Sequence, residues 1–231
     1  LIYKLRKNMK KILLSIIMSL ALMSVSYAGS FGVGVSGSIA AIAADGQESE
    51  TGNTGTENSV RSSTASNNAI IASIFAEYTA DSGMTLGIDY IPGSADVSSK
   101  SIKRTDVTAD ADEAAQDDGD RTAQAEVDNH MTIYAEIPLH NGLFLKGGYV
   151  EMDVTGTESS TITTTSSYGT TTADGYVYGL GYRDAFGENG FYKVEATHTA
   201  FDSITINSSG DHSITADLDV TQAKFSVGYN F

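Results

Sequence analysis

Lys224-Phe225-Ser226-Val227-Gly228-Tyr229-Asn230-Phe231 is the stretch whose reading decides the fold. Phe225, Val227, Tyr229 and Phe231 take every second position, and Lys224, Ser226, Gly228 and Asn230 fall between them. A period of two puts the sets on opposite faces of an extended strand. One face is aromatic and apolar, while the other mixes a cation with small residues.

The same period recurs upstream and predicts eight strands in all. The first sets Phe31, Val33, Val35, Ile39 and Ala41 against Gly32, Gly34, Ser36 and Ser38. Ile70 to Tyr78, Met84 to Tyr90, Met131 to Ile137, Tyr176 to Tyr182 and Tyr192 to Ala196 repeat the alternation. In the fifth strand Leu143, Leu145 and Tyr149 hold one phase, and Val150, Met152 and Val154 hold the other. Either a bulge near Gly147-Gly148 or an upper segment rising above an apolar belt accounts for that switch. The last strand changes phase in the same way, from Leu218 and Val220 to Ala223 and Phe225.

Connections alternate in length. Asp81-Ser82-Gly83, His140-Asn141-Gly142 and Gly187-Glu188-Asn189-Gly190 are tight turns rich in Gly and Asn. Between them lie long polar segments at 44–67, 93–123 and 155–172, and a shorter one at 208–212. Short turns on one side and long loops on the other predict an all-β, up-and-down antiparallel barrel spanning an outer membrane, with both termini in the periplasm.

The polar phase separates this reading from a soluble sandwich, whose apolar rows would face inward. Glu77, Asp89, Glu136, Lys146, Arg183, Lys193, Glu195 and Lys224 all occupy it. An eight-stranded barrel is just wide enough inside for side chains to fill. Four cations and four carboxylates can therefore pair across its lumen, and unpaired they would be prohibitively costly there. Phe31, Tyr78, Phe144, Tyr182, Phe186, Tyr192, Tyr229 and Phe231 lie toward the short turns, where an interfacial girdle is expected; Tyr90, Tyr149 and Tyr176 suit an opposite belt.

The other end of the chain fits this picture. Lys4, Arg6, Lys7, Lys10 and Lys11 precede the apolar run 12–25 and then Ser26-Tyr27-Ala28. That order predicts a cleaved signal peptide over 1–28, with Met9 a plausible initiator, and a barrel domain over 29–231. Residues 1–28 hold five of the 14 Lys and Arg and none of the 29 Asp and Glu, so the remainder carries nine cations against 29 acids, a formal charge of −20. Nucleic acid is thereby an improbable partner. Cysteine is absent, so the fold must hold without disulfides in a compartment that permits them.

The residues from Lys224 to Phe231 resemble the C-terminal assembly signal of bacterial outer-membrane proteins, a polar residue followed by spaced aromatics and a terminal Phe. Lys224, Phe225, Val227, Tyr229 and Phe231 match it, and Ser226 stands where that pattern usually has Gly. The resemblance implies recognition by the outer-membrane insertion machinery through the last strand. Over nearly all of 29–231 the chain is similar to the small barrels typified by the OmpA transmembrane domain and OmpX, without a peptidoglycan-binding domain. This implies an outer-membrane location among lipids and lipopolysaccharide, with loops as contact surfaces for extracellular ligands.

No chemistry stands out. His130, His140, His198 and His212 share no metal-ligand or triad spacing. Asp211-His212 faintly resembles the acid and histidine of outer-membrane proteases, but the larger barrel and further acids of that group are missing. Neither a phosphate loop nor a nucleophile elbow is present. The acidic run Asp106 to Asp120 lacks the Gly and closing Glu of an EF-hand and reads as a hydrated loop. No cofactor, metal or catalytic residue is expected. The expected role is structural or adhesion-like, non-enzymatic, with a lumen closed by paired charges; a narrow pore for small cationic solutes is the alternative, and a membrane-embedded hydrolase using His130 or His212 a more remote one.

Overall fold

A computed structural model describes residues 29–50, 59–96, 102–106, 119–160, 169–207 and 212–231. The predicted signal segment, Asp211, most of the acidic run and 161–168 of the Thr-rich segment lie outside the described residues.

The strands are β1 (Gly29–Glu50), β2 (Ser59–Ala80), β3 (Thr85–Tyr90), β4 (Ala95–Asp96), β5 (Ile102–Asp106), β6 (Gly119–Pro138), β7 (Leu143–Ser160), β8 (Thr170–Phe186), β9 (Gly190–Phe201), β10 (Ile204–Asn207) and β11 (His212–Asn230). All pairings are antiparallel. β3, β4 and β5 line up along β6 as one stave, and β9 with β10 forms another along β11. Eight staves result, and β1 closes the ring on β11 from Gly32↔Asn230 to Glu50↔His212. No helix occurs among the described residues.

Outward rows are apolar and open. Val35, Ile39, Ile74, Leu86, Ile133, Leu145, Leu180, Val194 and Phe225 are all exposed. A water-soluble monomer rarely presents so continuous an apolar surface, whereas a membrane barrel requires one. The short turns close tightly, with Asn141 and Gly142 at φ 53° and 81° and Leu143 N donating to His140 O at 3.2 Å. Positive φ at two successive positions is why Asn-Gly stands there.

Two expectations change, and one choice between alternatives is decided. Where they are described, the segments 44–67 and 155–172 are almost entirely strand: β1 runs on to Glu50, β2 begins at Ser59, β7 continues to Ser160 and β8 starts at Thr170. Their Ser and Thr side chains suit extended structure, and the ladder satisfies backbone groups without an apolar face. Second, Phe144 belongs to the interior, not the girdle: it is 4% exposed and follows the same phase as Lys146. Third, β7 pairs with β8 without interruption across Gly147-Gly148. The phase switch in β7 therefore marks an upper segment with an apolar interior. The bulge lies opposite, on β6, where the register slips between Asp128 and Met131 and Asn129 takes φ 52°.

Inside, aromatic rings fill positions that glycine leaves open. A Cβ at Gly228 would overlap the Phe191 ring, one at Gly87 the Tyr134 ring, and one at Gly181 the Phe144 ring. Close packing of this kind makes extra volume costly. Gly228→Val is expected to lower stability by about 1–3 kcal/mol, read as an earlier loss of the compact band on a heat-modifiability gel. Adding Phe191→Leu should recover part of that loss, and absence of recovery would show that Gly228 is needed for another reason.

Candidate functional site

Six of the eight predicted lumen charges come together in one layer near the short turns. β9 carries Lys193 inward, where Nζ donates to Glu77 Oε2 at 2.7 Å and to Glu136 Oε1 at 2.8 Å. Arg183 Nη1 donates to the other oxygen of Glu77, and Tyr134 Oη donates to Glu77 Oε2 at 2.8 Å. Lys146 Nζ donates to Glu195 Oε1 at 2.6 Å and stands 3.8 Å from Glu136 Oε1. Three acids thus meet three cations, and the layer is neutral. Each carboxylate is buried, and Lys193 is 1% exposed.

The remaining two charges form their own pair. Lys224 Nζ donates to Asp89 Oδ2 at 2.9 Å, and Ser73 Oγ donates to the same oxygen at 3.0 Å. Ser36 and Ser73 hydroxyls bond one another, and Gln222 Nε2 donates to Ser38 Oγ at 2.6 Å. Charge-assisted bonds and complete pairing are what make such a polar layer tolerable in a low-dielectric interior.

Sequence periodicity missed the rings that frame these charges. Lys146 Nζ lies 3.9 Å from the Tyr134 ring centroid, the Arg183 guanidinium carbon 3.9 Å from that of Phe191, and Lys193 Nζ 4.8 Å from that of Phe75. Cations over aromatic faces gain a further electrostatic attraction. The available signal was Gly on neighbouring strands, at Gly34, Gly87, Gly181 and Gly228, since a lumen that admits large rings needs facing positions without side chains.

Away from the short turns the interior changes character. Met152, Val154, Ala173, Ile206 and Leu218 form a buried apolar cluster, with Ile42, Val127 and Phe201 packed against it. The β6 bulge makes this possible by shifting which residues point inward: Thr132, Tyr134 and Glu136 on one side of it, Val127 on the other.

The histidines do not converge. His130 lines the lumen, His140 is exposed in a turn, and His198 lies on the outer face with Nδ1 3.1 Å from Thr221 Oγ1 and Nε2 3.5 Å from Asp219 Oδ1. His212 is the first residue of β11. Among the described residues no group of three or more His, Asp or Glu is arranged to hold a metal. Arranged in this way, the interior can fill and rigidify the lumen.

At the C-terminus, Phe231 N donates to Phe31 O at 2.8 Å. Its ring meets Tyr229 edge-on at 5.2 Å and Phe31 at 6.5 Å. Tyr182, Tyr192 and Phe225 continue the outer aromatic row at 6.2 and 6.5 Å.

The sequence pattern of the family described as "Outer membrane protein beta-barrel domain" matches residues 12–231. No curated protein sequence matches the chain. Among solved structures, the outer membrane protease OmpT of Escherichia coli is similar with a TM-score of 0.47 at 10% identity, over 90% of this chain and 100% of that one. OprG of Pseudomonas aeruginosa gives 0.42 at 14% identity, over 89% and 97%. Ail, the attachment invasion locus protein of Yersinia pestis, gives 0.34 at 14% identity, over 85% and 98%. At such identities the likeness concerns fold and not activity.

Proposed function

The chain belongs to the outer membrane protein beta-barrel domain family, and from that premise we propose that it is a non-conducting, non-enzymatic barrel of the bacterial outer membrane whose role is structural or surface-interacting. The observation that carries this reading is the neutral layer of Glu77, Glu136, Glu195, Lys146, Arg183 and Lys193 set among Phe75, Tyr134, Phe144 and Phe191. All four rings are no more than 5% exposed, and four of the six charged side chains, Glu77, Glu136, Lys193 and Glu195, at most 3%. Ion pairs crossing a lumen this narrow occupy the path that a solute would need. The cost of breaking them holds the path shut.

Export through the inner membrane on residues 1–28, periplasmic termini, and insertion through the Lys224–Phe231 signal belong to the same proposal. The staves that extend past the apolar belt would then stand outside the cell and offer contacts to extracellular ligands. Purified protein in planar bilayers is expected to give no regular conductance steps in potassium chloride. Uniform single-channel steps would overturn the reading and favour a narrow cation pore, the alternative that the charge of −20 suggests.

A further inference from the structure

Between the charged layer and the apolar cluster the lumen holds a cavity of about 240 Å³. Its lining shows how it is reached. Ala69, Ile70, Ile71 and Ala72 of β2 all border it. Consecutive residues of a strand point to opposite sides of the wall. Ala69 and Ile71 share the inward phase of Ser73, while Ile70 and Ala72 share the outward phase of exposed Ile74, and Ile70 is 90% exposed. Four consecutive residues border one cavity where it runs along the main chain at the strand's edge.

That edge is open. β2 pairs with β3 from Thr79↔Thr85 as far as Ile74↔Tyr90. Beyond Ile74, β4 and β5 pair with β6, and among the described residues no strand pairs with β2 on that side. The turn after β3, with Gly93 at φ 95°, borders the cavity opposite β2. Among the described residues a slot in the wall therefore lies between Ala69–Ala72 and Ile91–Ala95. It sits at the upper margin of the apolar belt, where Ile70 pairs with exposed Ile39 and the next outward pair is Asn68 with Ala41.

The contents of the cavity select a ligand. Met152, Val177, Leu218, Val220 and Phe201 make its walls apolar. Lys146, Lys224 and Asp89 at its base are engaged in ion pairs already described, so a charged head would find no free counter-charge. His130 also borders the cavity, and its Nδ1 is buried without a hydrogen-bond partner. A neutral imidazole nitrogen either donates or accepts, and a hydroxyl can answer both. A space of about 240 Å³ is many times what a single water needs and can take a short aliphatic chain.

We propose that this cavity binds a small uncharged amphiphile, of the medium-chain primary alcohol class, admitted from the membrane through the slot between β2 and the β3–β4 turn, with its hydroxyl on His130. The sealed lumen bears only on the direction of access, and binding is read independently of conductance.

The probe is 1-octanol, titrated into the full chain in lipid nanodiscs carrying methyl-labelled Met. Met152 reports the cavity and exposed Met84, beside a short turn, reports partition into lipid. The Met152 methyl is expected to shift and saturate while Met84 drifts without saturating. Octanoate should bind at least ~10-fold more weakly, because it brings an unpaired charge into the interior. His130→Phe should erase the preference for octanol over octane, and Leu218→Trp should abolish saturation by filling the space. Bulky reversible modification of an Ala72→Cys variant should slow the approach to saturation, and reduction should restore it. No saturable shift at Met152 in the unmodified chain would overturn the proposal, and so would equal binding of octanol, octane and octanoate.

Discussion

Lys193→Met is expected to destabilise the barrel by about 3–5 kcal/mol, the usual cost of removing one partner from a buried ion pair. Lys193 is the centre of the layer: its ammonium serves Glu77 and Glu136 at once, and its side chain is 1% exposed. Methionine fills a similar volume, so the loss measures charge and not packing. Without the ammonium, three acids face two cations. Glu77 keeps Arg183 and Tyr134, while Glu136 is left with Lys146 at 3.8 Å, a cation already committed to Glu195 at 2.6 Å. Glu136 is thus the stranded group. Equilibrium urea unfolding in micelles, followed by the shift of the heat-modified band, should show the whole effect. Lys193→Met combined with Glu136→Gln restores two acids to two cations and should regain most of the stability. A single-variant loss under ~1 kcal/mol, the size of an exposed pair, would mean that water reaches this layer, and the closed-lumen proposal would fall with it.

What was legible in the sequence follows from how local each feature is. The face on which a strand residue lies depends on its neighbours alone, so a period of two assigns Glu77, Glu136, Lys146 and Lys193 to the same phase across strands far apart in the chain. Which acid meets which cation depends on register and strand tilt around the closed ring. Lys193 and Glu77 are 116 positions apart, and nothing near either one encodes the meeting. Ring closure is non-local in the same sense, since Gly32 finds Asn230 only through every stave between them.

Local chemistry misled in two places. Gly147-Gly148 looks like a bulge, yet β7 keeps its register because the facing stave supplies continuous partners. The bulge on β6 falls at Asp128-Asn129-His130, where Asn129 reaches φ 52° with its side-chain amide donating to Asp128 and Asp153 at 3.0 Å. Asn tolerates that conformation by such bonds, and no glycine advertises it. The slot beside β2 is harder still to read. It arises from where β3 stops, at Tyr90, and from the attachment of β4 and β5 to β6 and, among the described residues, to no other strand. Polar composition in 93–123 says only that the belt has ended there.

Val35→Arg should cost about 2–4 kcal/mol in phospholipid vesicles, the penalty for a cation at the middle of a lipid-facing barrel wall. Val35 is 60% exposed, yet its in-register neighbours are apolar on both sides, Ile74 on β2 and Val227 on β11. An arginine there has apolar side chains beside it on both neighbouring strands. Ala43→Arg, on the same strand and phase, is the control: Ala43 pairs with Ser66 and Asp219, where the outward rows have turned polar, and the expected cost is about 0–1 kcal/mol, as near a membrane interface. The pair isolates position, because both sites are exposed, both are strand residues and both receive the same side chain. Unfolding free energies from urea titrations in vesicles provide the comparison. In a water-soluble barrel the order would vanish, since arginine at either exposed site would be solvated. Equal costs at Val35 and Ala43 would therefore place the apolar rows against something other than lipid, and the slot beside Ile70 would then open to water instead of to the membrane.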